Sequence, residues 1–219
     1  MKTIIFDLDG TLLDSAPDIR ATANTLLERR GRAPITLAQT HGFIGAGAGA
    51  FVTRLAAAAG LPSDAPALAR LEAEFVEIYE HAHALTRVYP GVEAALERLG
   101  RAGWRMGLCT NKPIGPARAV LAHFSLSDRF AAVVGGDSLP VRKPDPAPLR
   151  HVHAALGGGR AVYVGDSEVD ALTAAAAALP FALFTEGYRQ SAPEEIVHQA
   201  RFADFGLLPD LAEGLLAGT

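Results

Sequence analysis

Thr3-Ile4-Ile5-Phe6-Asp7-Leu8-Asp9-Gly10 sets a β-branched and apolar run directly before two acids and a glycine. A strand covered on both faces reads this way, because neither face has to present polar groups to water. Comparable runs recur at 105–110, 131–135, 161–166 and 181–185, giving with 3–7 five expected strands. Helical stripes separate them from the second run onward: Val92, Leu96 and Leu99; Ile114, Ala117 and Leu121; Leu149, Val152 and Leu156. Alternating strand and helix implies a parallel sheet with helices on both sides, an α/β, Rossmann-like core. Right-handed crossovers then bring the C-terminal strand ends to one rim, where ligands bind in sheets of this kind.

Residues 16–84 carry no strand pattern. A helix is expected over about 17–30, with Ile19, Ala23, Leu26 and Leu27 inward and a stop at Gly31 before Pro34. A second is expected over about 64–83, with Leu68, Leu71, Phe75, Ile78 and Tyr79 on one stripe. Between them, Gly45-Ala46-Gly47-Ala48-Gly49 reads as a bend leading into a helix through Phe51, Arg54 and Leu55. The expected organisation is a catalytic core of 1–15 and 85–219 interrupted by an all-helical cap of 16–84. Tyr89-Pro90-Gly91 marks the return to the core, and helices inserted above the rim would form a lid.

With 219 residues, 49% of them hydrophobic and 20% charged, the chain can bury a sizeable globular core. Its net charge of -4, without a basic stripe, tells against nucleic acid as a partner. An anionic substrate would need its charge met locally, by a metal or a placed lysine. Asp7 and Asp9 interrupt the N-terminal apolar run, so neither a signal peptide nor a membrane span is expected there. Cys109 is the single cysteine, which fits a reducing compartment, and a cytoplasmic protein is expected, as a monomer or a homodimer.

The polar residues that end the strands form one chemical set. The first strand ends in Asp7 and Asp9, the second in Thr110-Asn111-Lys112, and the fourth in Asp166, with Asp170 shortly after; Lys143 follows the third. Several carboxylates on one rim repel unless a cation sits among them, and hard oxygen ligands without thiolates or convergent histidines favour magnesium. A carboxylate such as Asp7 can attack phosphorus to form an acyl phosphate, and Asp9, two residues on and on the same side of an extended chain, can serve as acid and base. Lys143 and the Thr110 hydroxyl would oppose charge on the transferring group, and Gly10 would let the backbone turn away. Taken singly, each has a plainer reading: the acids as turn caps, Thr110 as a packed strand end, Lys143 as a solvated charge.

On these residues the chain resembles the haloacid dehalogenase superfamily of phosphohydrolases, whose opening signature reads here as Asp7-Leu8-Asp9-Gly10-Thr11-Leu12-Leu13-Asp14-Ser15. The resemblance implies that Asp7 is nucleophile and metal ligand, that Asp9 is acid and base and offers its carbonyl to the metal, and that Asp166 is a further ligand. It implies that Asp170 supports that shell, that Asn111 holds phosphate, and that a cap follows the first motif. Within the superfamily, Thr110-Asn111-Lys112-Pro113, the stretch from Gly135 through Lys143 and Pro144, and the cap loop Phe43-Ile44-Gly45-Ala46-Gly47-Ala48 look like phosphoglycolate phosphatases. The cap loop departs from the commoner pattern in having Ala46 between its glycines. The implied reaction is magnesium-dependent hydrolysis of a small phosphomonoester, 2-phosphoglycolate first. Sugar-phosphate or pyrophosphate phosphatases and phosphomutases are the alternatives.

Gly45 and Gly47 are thus candidate substrate-binding positions, and Arg54 on the cap is a candidate partner for a substrate carboxylate. The pairs His81/His83 and His151/His153 are two apart on expected helices and point to different faces, so neither reads as a metal site. Cys109 reads as a buried inert thiol, and Glu186-Gly187-Tyr188-Arg189 as a surface loop. A phosphoacceptor signalling module would also use an aspartate, a threonine and a lysine on a parallel sheet. It would not place Asp7 and Asp9 on one strand, nor insert helices after it.

Overall fold

The computed structural model describes residues 1–217. Along the chain come β1 (Lys2–Phe6), β2 (Leu13–Asp14), α1 (Ala16–Glu28), α2 (Leu37–Phe43), α3 (Ala48–Ala59), α4 (Ala65–Tyr79) and β3 (Arg87–Val88). There follow α5 (Val92–Arg101), β4 (Arg105–Cys109), α6 (Ile114–His123), β5 (Ala132–Val134), α7 (Ala147–Ala155) and β6 (Arg160–Gly165). The chain closes with α8 (Glu168–Ala177), β7 (Phe181–Phe184), β8 (Ala200–Phe202) and α9 (Leu208–Ala217). Six strands make one parallel sheet in the order β5-β4-β1-β6-β7-β8.

The uninterrupted apolar character of β1 has its cause in this order. Ile4 and Phe6 point into one core with Leu96 and Leu99 of α5, Val120 of α6 and Leu208 and Leu216 of α9. Ile5 points into the other with Leu149 and Val152 of α7 and Ala171 and Ala174 of α8. All three β1 side chains are fully buried, so alternation along the strand selects a core and never solvent. The fold is α/β, a Rossmann-like sheet carrying an inserted all-helical cap, as the alternating pattern implied.

The helices α1 to α4 have a core of their own, built on Leu26, Leu27, Phe51, Val52, Leu55, Leu71 and Phe75. Where the chain leaves the sheet for these helices and where it returns, β2 and β3 pair antiparallel, Leu13 with Val88 and Asp14 with Arg87. Buried Asp18, in the first turn of α1, ties the two crossings together: its Oδ2 accepts from the backbone N–H of Leu85 (3.0 Å) and of Thr86 (2.6 Å) and from the Thr86 hydroxyl (2.7 Å).

Four elements differ from the sequence expectation. β8 extends the sheet to a sixth strand, but it has three residues with Arg201 exposed in the middle, so no apolar run announces it. α2 lies in what reads as featureless sequence, although Thr36 and Gln39 form a reciprocal capping box at its start. α4 ends at Tyr79, four residues before the end of its expected span, and α3 begins inside the glycine-rich bend, after Gly47 at φ +89.

Candidate active site

The strand order reverses at β1: the chain runs outward through β4 to β5 on one side and through β6, β7 and β8 on the other. A crevice opens beyond the C-terminal ends at such a point. The register aligns Phe6 with Leu108 and with Val164, so the residues that follow β1, β4 and β6 arrive side by side. These are Asp7, Thr110 and Asp166, and the Asp7 N–H is anchored to the Val164 carbonyl at 2.9 Å. All three are buried, and the strand-end residues singled out from sequence therefore converge.

Asp7, Asp166 and Asp170 bring carboxylate oxygens within 4.8 Å of one another. Lys143, from the segment between β5 and α7, enters with its Nζ 2.8 Å from Asp7 and 2.7 Å from Asp170. One ammonium among three buried carboxylates leaves an excess of two negative charges, the charge of one divalent ion. Burial pushes the Asp7 carboxyl up to about 7, opposed by Lys143 and reinforced by Asp170. Burial likewise drives Asp166 well above the usual carboxylate range, with Asp170 and Asp7 adding to the effect. Burial would also raise Asp170, but the charge and hydrogen bond of Lys143, with Ser167 and Tyr163, outweigh it and hold the group below its ordinary value.

The donor set fits a hard divalent cation. Asp7 Oδ1 is buried, with the Lys143 ammonium 2.8 Å away as an ion-pair partner and no other hydrogen bond. Asp166 accepts from the Thr11 hydroxyl and from the Tyr188 N–H, each at 2.7 Å. Asp170 is saturated instead: Oδ1 takes Lys143 and Tyr163 at 2.7 Å each, and Oδ2 takes the Ser167 hydroxyl at 2.6 Å. Its geometry is that of a group positioning Lys143. Space for Asp166 is guarded by two glycines, since a Cβ on Gly10 would lie 2.4 Å from its Oδ2 and one on Gly187 would lie 2.3 Å from its Cβ.

Asp9 stands outside this cluster. Its Oδ1 accepts from the Ser15 hydroxyl at 2.6 Å and from the Lys112 ammonium at 3.0 Å. Lys112 also donates to the Tyr79 hydroxyl, at the end of α4, and its Nζ sits 3.8 Å from the centre of the Tyr79 ring. A cavity of about 60 Å³ lies between cap and core, with Asp7, Asp9, Thr110, Lys112 and Lys143 on its polar floor. Ile19, Ile44, Phe51, Phe75 and Tyr79 roof it, and Gly45 and Gly47 edge it.

Asn111 proves to be a strut. Its side chain accepts from the Lys143 N–H and donates to the Lys143 carbonyl and the Gly45 carbonyl, all at 3.0 Å, which uses both amide hydrogens. Gly47 runs against the same residue, where a Cβ would stand 3.2 Å from the Asn111 carbonyl. Arg54 donates to the Phe43 carbonyl at 2.8 Å and lines an adjoining cavity of about 180 Å³ with Asp7, Asp9, Asp166, Glu168 and Gln190.

A family model for haloacid dehalogenase-like hydrolases matches residues 1–178. The chain belongs to the haloacid dehalogenase-like hydrolases. Among its relatives in this family is a phosphoglycolate phosphatase of Cereibacter sphaeroides (strain ATCC 17029 / ATH 2.4.9), 54% identical over 99% of this chain and 100% of that protein. A phosphoglycolate phosphatase of Rhodospirillum rubrum is 42% identical over 95% of this chain and 90% of its own length. The crystal structure of a predicted phosphoglycolate phosphatase from Haemophilus somnus 129pt superposes with a TM-score of 0.90 at 28% identity, over 96% of this chain and 97% of that one. The chain is accordingly an enzyme of the hydrolase class.

Sequence reasoning about this hydrolase named Lys112, Tyr79 and Tyr188 but gave none of them a role at the site. Lys112 stands two residues beyond Thr110 on the same rim, which was a usable signal. Tyr79 reads only as the end of an inward stripe. The loop read as a plain surface loop instead buries Tyr188, whose hydroxyl donates to Asp14 (2.7 Å) and accepts from the N–H groups of Ser15 (2.7 Å) and Ala16 (2.9 Å). Among the described residues no helix is long and apolar enough to cross a membrane.

Proposed function

We propose that the protein is a magnesium-dependent phosphatase that hydrolyses 2-phosphoglycolate to glycolate and phosphate, with residues 16–84 acting as a cap over a core of 1–15 and 85–219. The observation that carries the reading is Asp7: a buried carboxylate at the end of the central strand, with one oxygen paired to Lys143 and free of any other hydrogen bond. The names of the full-length relatives support the substrate.

Asp7 attacks phosphorus, and the bond from phosphorus to the ester oxygen breaks as the new bond to Asp7 forms. The departing alkoxide takes a proton from Asp9, which the Ser15 hydroxyl and Lys112 hold at the cavity floor. Water then attacks the aspartyl-phosphate, giving its proton to Asp9, and phosphate leaves with Asp7 regenerated. Lys143 and the Thr110 hydroxyl oppose the charge that spreads over the transferring group. Asp7, Asp166 and the Asp9 carbonyl would hold magnesium, with Asp170 supporting that shell, and the ion would supply charge neutralisation on the phosphoryl oxygens.

Phosphate release measured over a panel of 2-phosphoglycolate, sugar phosphates and pyrophosphate, with magnesium and with chelator, tests the reading. Turnover should be greatest on 2-phosphoglycolate, vanish on chelation, and fall by at least about a thousandfold in Asp7→Asn. Full turnover by Asp7→Asn would exclude covalent catalysis at that residue.

A further inference from the structure

The reaction above gives Lys112 only a share in holding Asp9, yet its placement is specific. Two lysines and, among the described residues, no arginine line the first cavity. Lys143 is committed to Asp7 and Asp170. Arg54, the cap cation expected from sequence to meet a substrate carboxylate, does not line this cavity; it lines an adjoining one that shares Asp7 and Asp9 with it, on the Asp166 side, and is tethered to the Phe43 carbonyl. Lys112 remains, with 3% of its side chain exposed.

Its ammonium has three hydrogens to place. One goes to Asp9 Oδ1, an oxygen shared with the Ser15 hydroxyl, and one to the neutral Tyr79 hydroxyl. The ammonium thus has a single anionic partner, Asp9, and a third hydrogen to place at the cavity floor, opposite an apolar roof of Ile44, Phe51 and Phe75. A substrate carboxylate entering beneath that roof loses its water, and the loss is tolerable only where a cation meets it.

We propose that Lys112, held in place by Tyr79 of the cap, is the specificity-determining residue that receives the carboxylate of a phosphorylated two-carbon acid. The inference rests on the substrate reading above. A neutral ester of the same size leaves the ammonium without that partner, and a site built around a buried charge rejects a ligand that lacks the matching one. Because Tyr79 ends α4, the ammonium is fixed only while the cap lies on the core, so recognition of the carboxylate and closure over the phosphoryl group are one event.

The test compares kcat/KM for 2-phosphoglycolate and for ethyl phosphate, which lacks the carboxylate, in the full chain with magnesium. In Lys112→Met the preference for 2-phosphoglycolate should shrink by at least about 30-fold, beyond any loss common to both substrates through Asp9, with Lys112→Arg keeping most of it. Tyr79→Phe retains the ring in the cap core and removes only the hydroxyl, and should erode the preference in the same direction by a smaller factor. Circular dichroism and thermal unfolding report that each variant is folded. A preference unchanged in both Lys112→Met and Tyr79→Phe, or one abolished by Arg54→Ala alone, overturns the inference while the substrate reading stands. A wild-type enzyme indifferent to the carboxylate overturns both.

Discussion

Gly10 stands at φ +86, a conformation that a side chain resists, and the missing Cβ leaves room for Asp166. Gly10→Ala should therefore act twice. The backbone penalty should cost about 1–2 kcal/mol of stability, read in thermal unfolding. The displaced Asp166 carboxylate should lower kcat by about a hundredfold and weaken magnesium binding, the order expected for a misplacement near 1 Å. A variant with wild-type magnesium dependence would show that Asp166 does not need this space. The sequence reading gave Gly10 a related part, leaving room for phosphoryl oxygens, but a neighbour 156 positions along the chain cannot be read from one stretch. The same limit divides the site. Asp7, Asp9, Thr110 and Asp166 were legible because each closes or follows an apolar run that announces a strand end. Lys112 and Tyr79 were not assigned, because the pairs that define them span 103 and 33 positions.

At the scale of elements, apolar period settles most of the structure, and elements held by other means escape it. β8 exists because Gln199 and Phe202 continue the ladder of β7, through bonds of 3.0 and 2.9 Å to Phe181 and Thr185. α2 is set by its capping box, a local signal overshadowed by the glycine-rich stretch that follows. Within the cap, α1 and α4 are clamped by Glu74, which accepts from Arg30 at 2.5 Å and from Arg29 at 2.8 Å. The hydrogen bond from Arg30 is the main cause that holds the Glu74 carboxyl below its ordinary 4.5, with Arg29 assisting against partial burial. A carboxylate with a depressed folded value stabilises above its unfolded value and loses that contribution as pH falls through the folded one. Glu74→Gln should thus lower stability by about 0.5–1 kcal/mol at neutral pH, discounted for the partly exposed arginines. The deficit against wild type should shrink as the pH drops below 4.5 and vanish once Glu74 is protonated in both states. A deficit constant from pH 7 to 3 in denaturant titrations would assign the effect to packing instead.

Across the whole molecule, the lack of a strand pattern over 16–84 implied helices, and α1 to α4 do share a core of their own, but the pattern says nothing of how they sit on the sheet. That depends on a few contacts at long range: Asn111 to the Gly45 carbonyl, Lys112 to Tyr79, Gln190 to the His41 carbonyl, and the stacking of His41 on Tyr188 at 4.9 Å. Tyr188 joins three parts at once. Its N–H holds Asp166 in the acid cluster, its ring meets the cap, and its hydroxyl completes the crossing at Asp14, Ser15 and Ala16. Tyr188→Phe keeps the N–H and the ring and deletes only the hydroxyl, leaving two buried backbone donors and one carboxylate oxygen short of a partner. The cost should be about 2 kcal/mol, or about 4–8 °C in Tm for a chain of this size. Hydrogen exchange should accelerate at the Ser15 and Ala16 amides while the β1 and β6 amides keep their protection. On the proposed closure of the cap about this crossing, kcat and KM for 2-phosphoglycolate should shift together. Unchanged exchange at Ser15 and Ala16 would mean that β2, β3 and Asp18 hold the crossing without Tyr188, and that the acid cluster and the cap are not coupled through this ring.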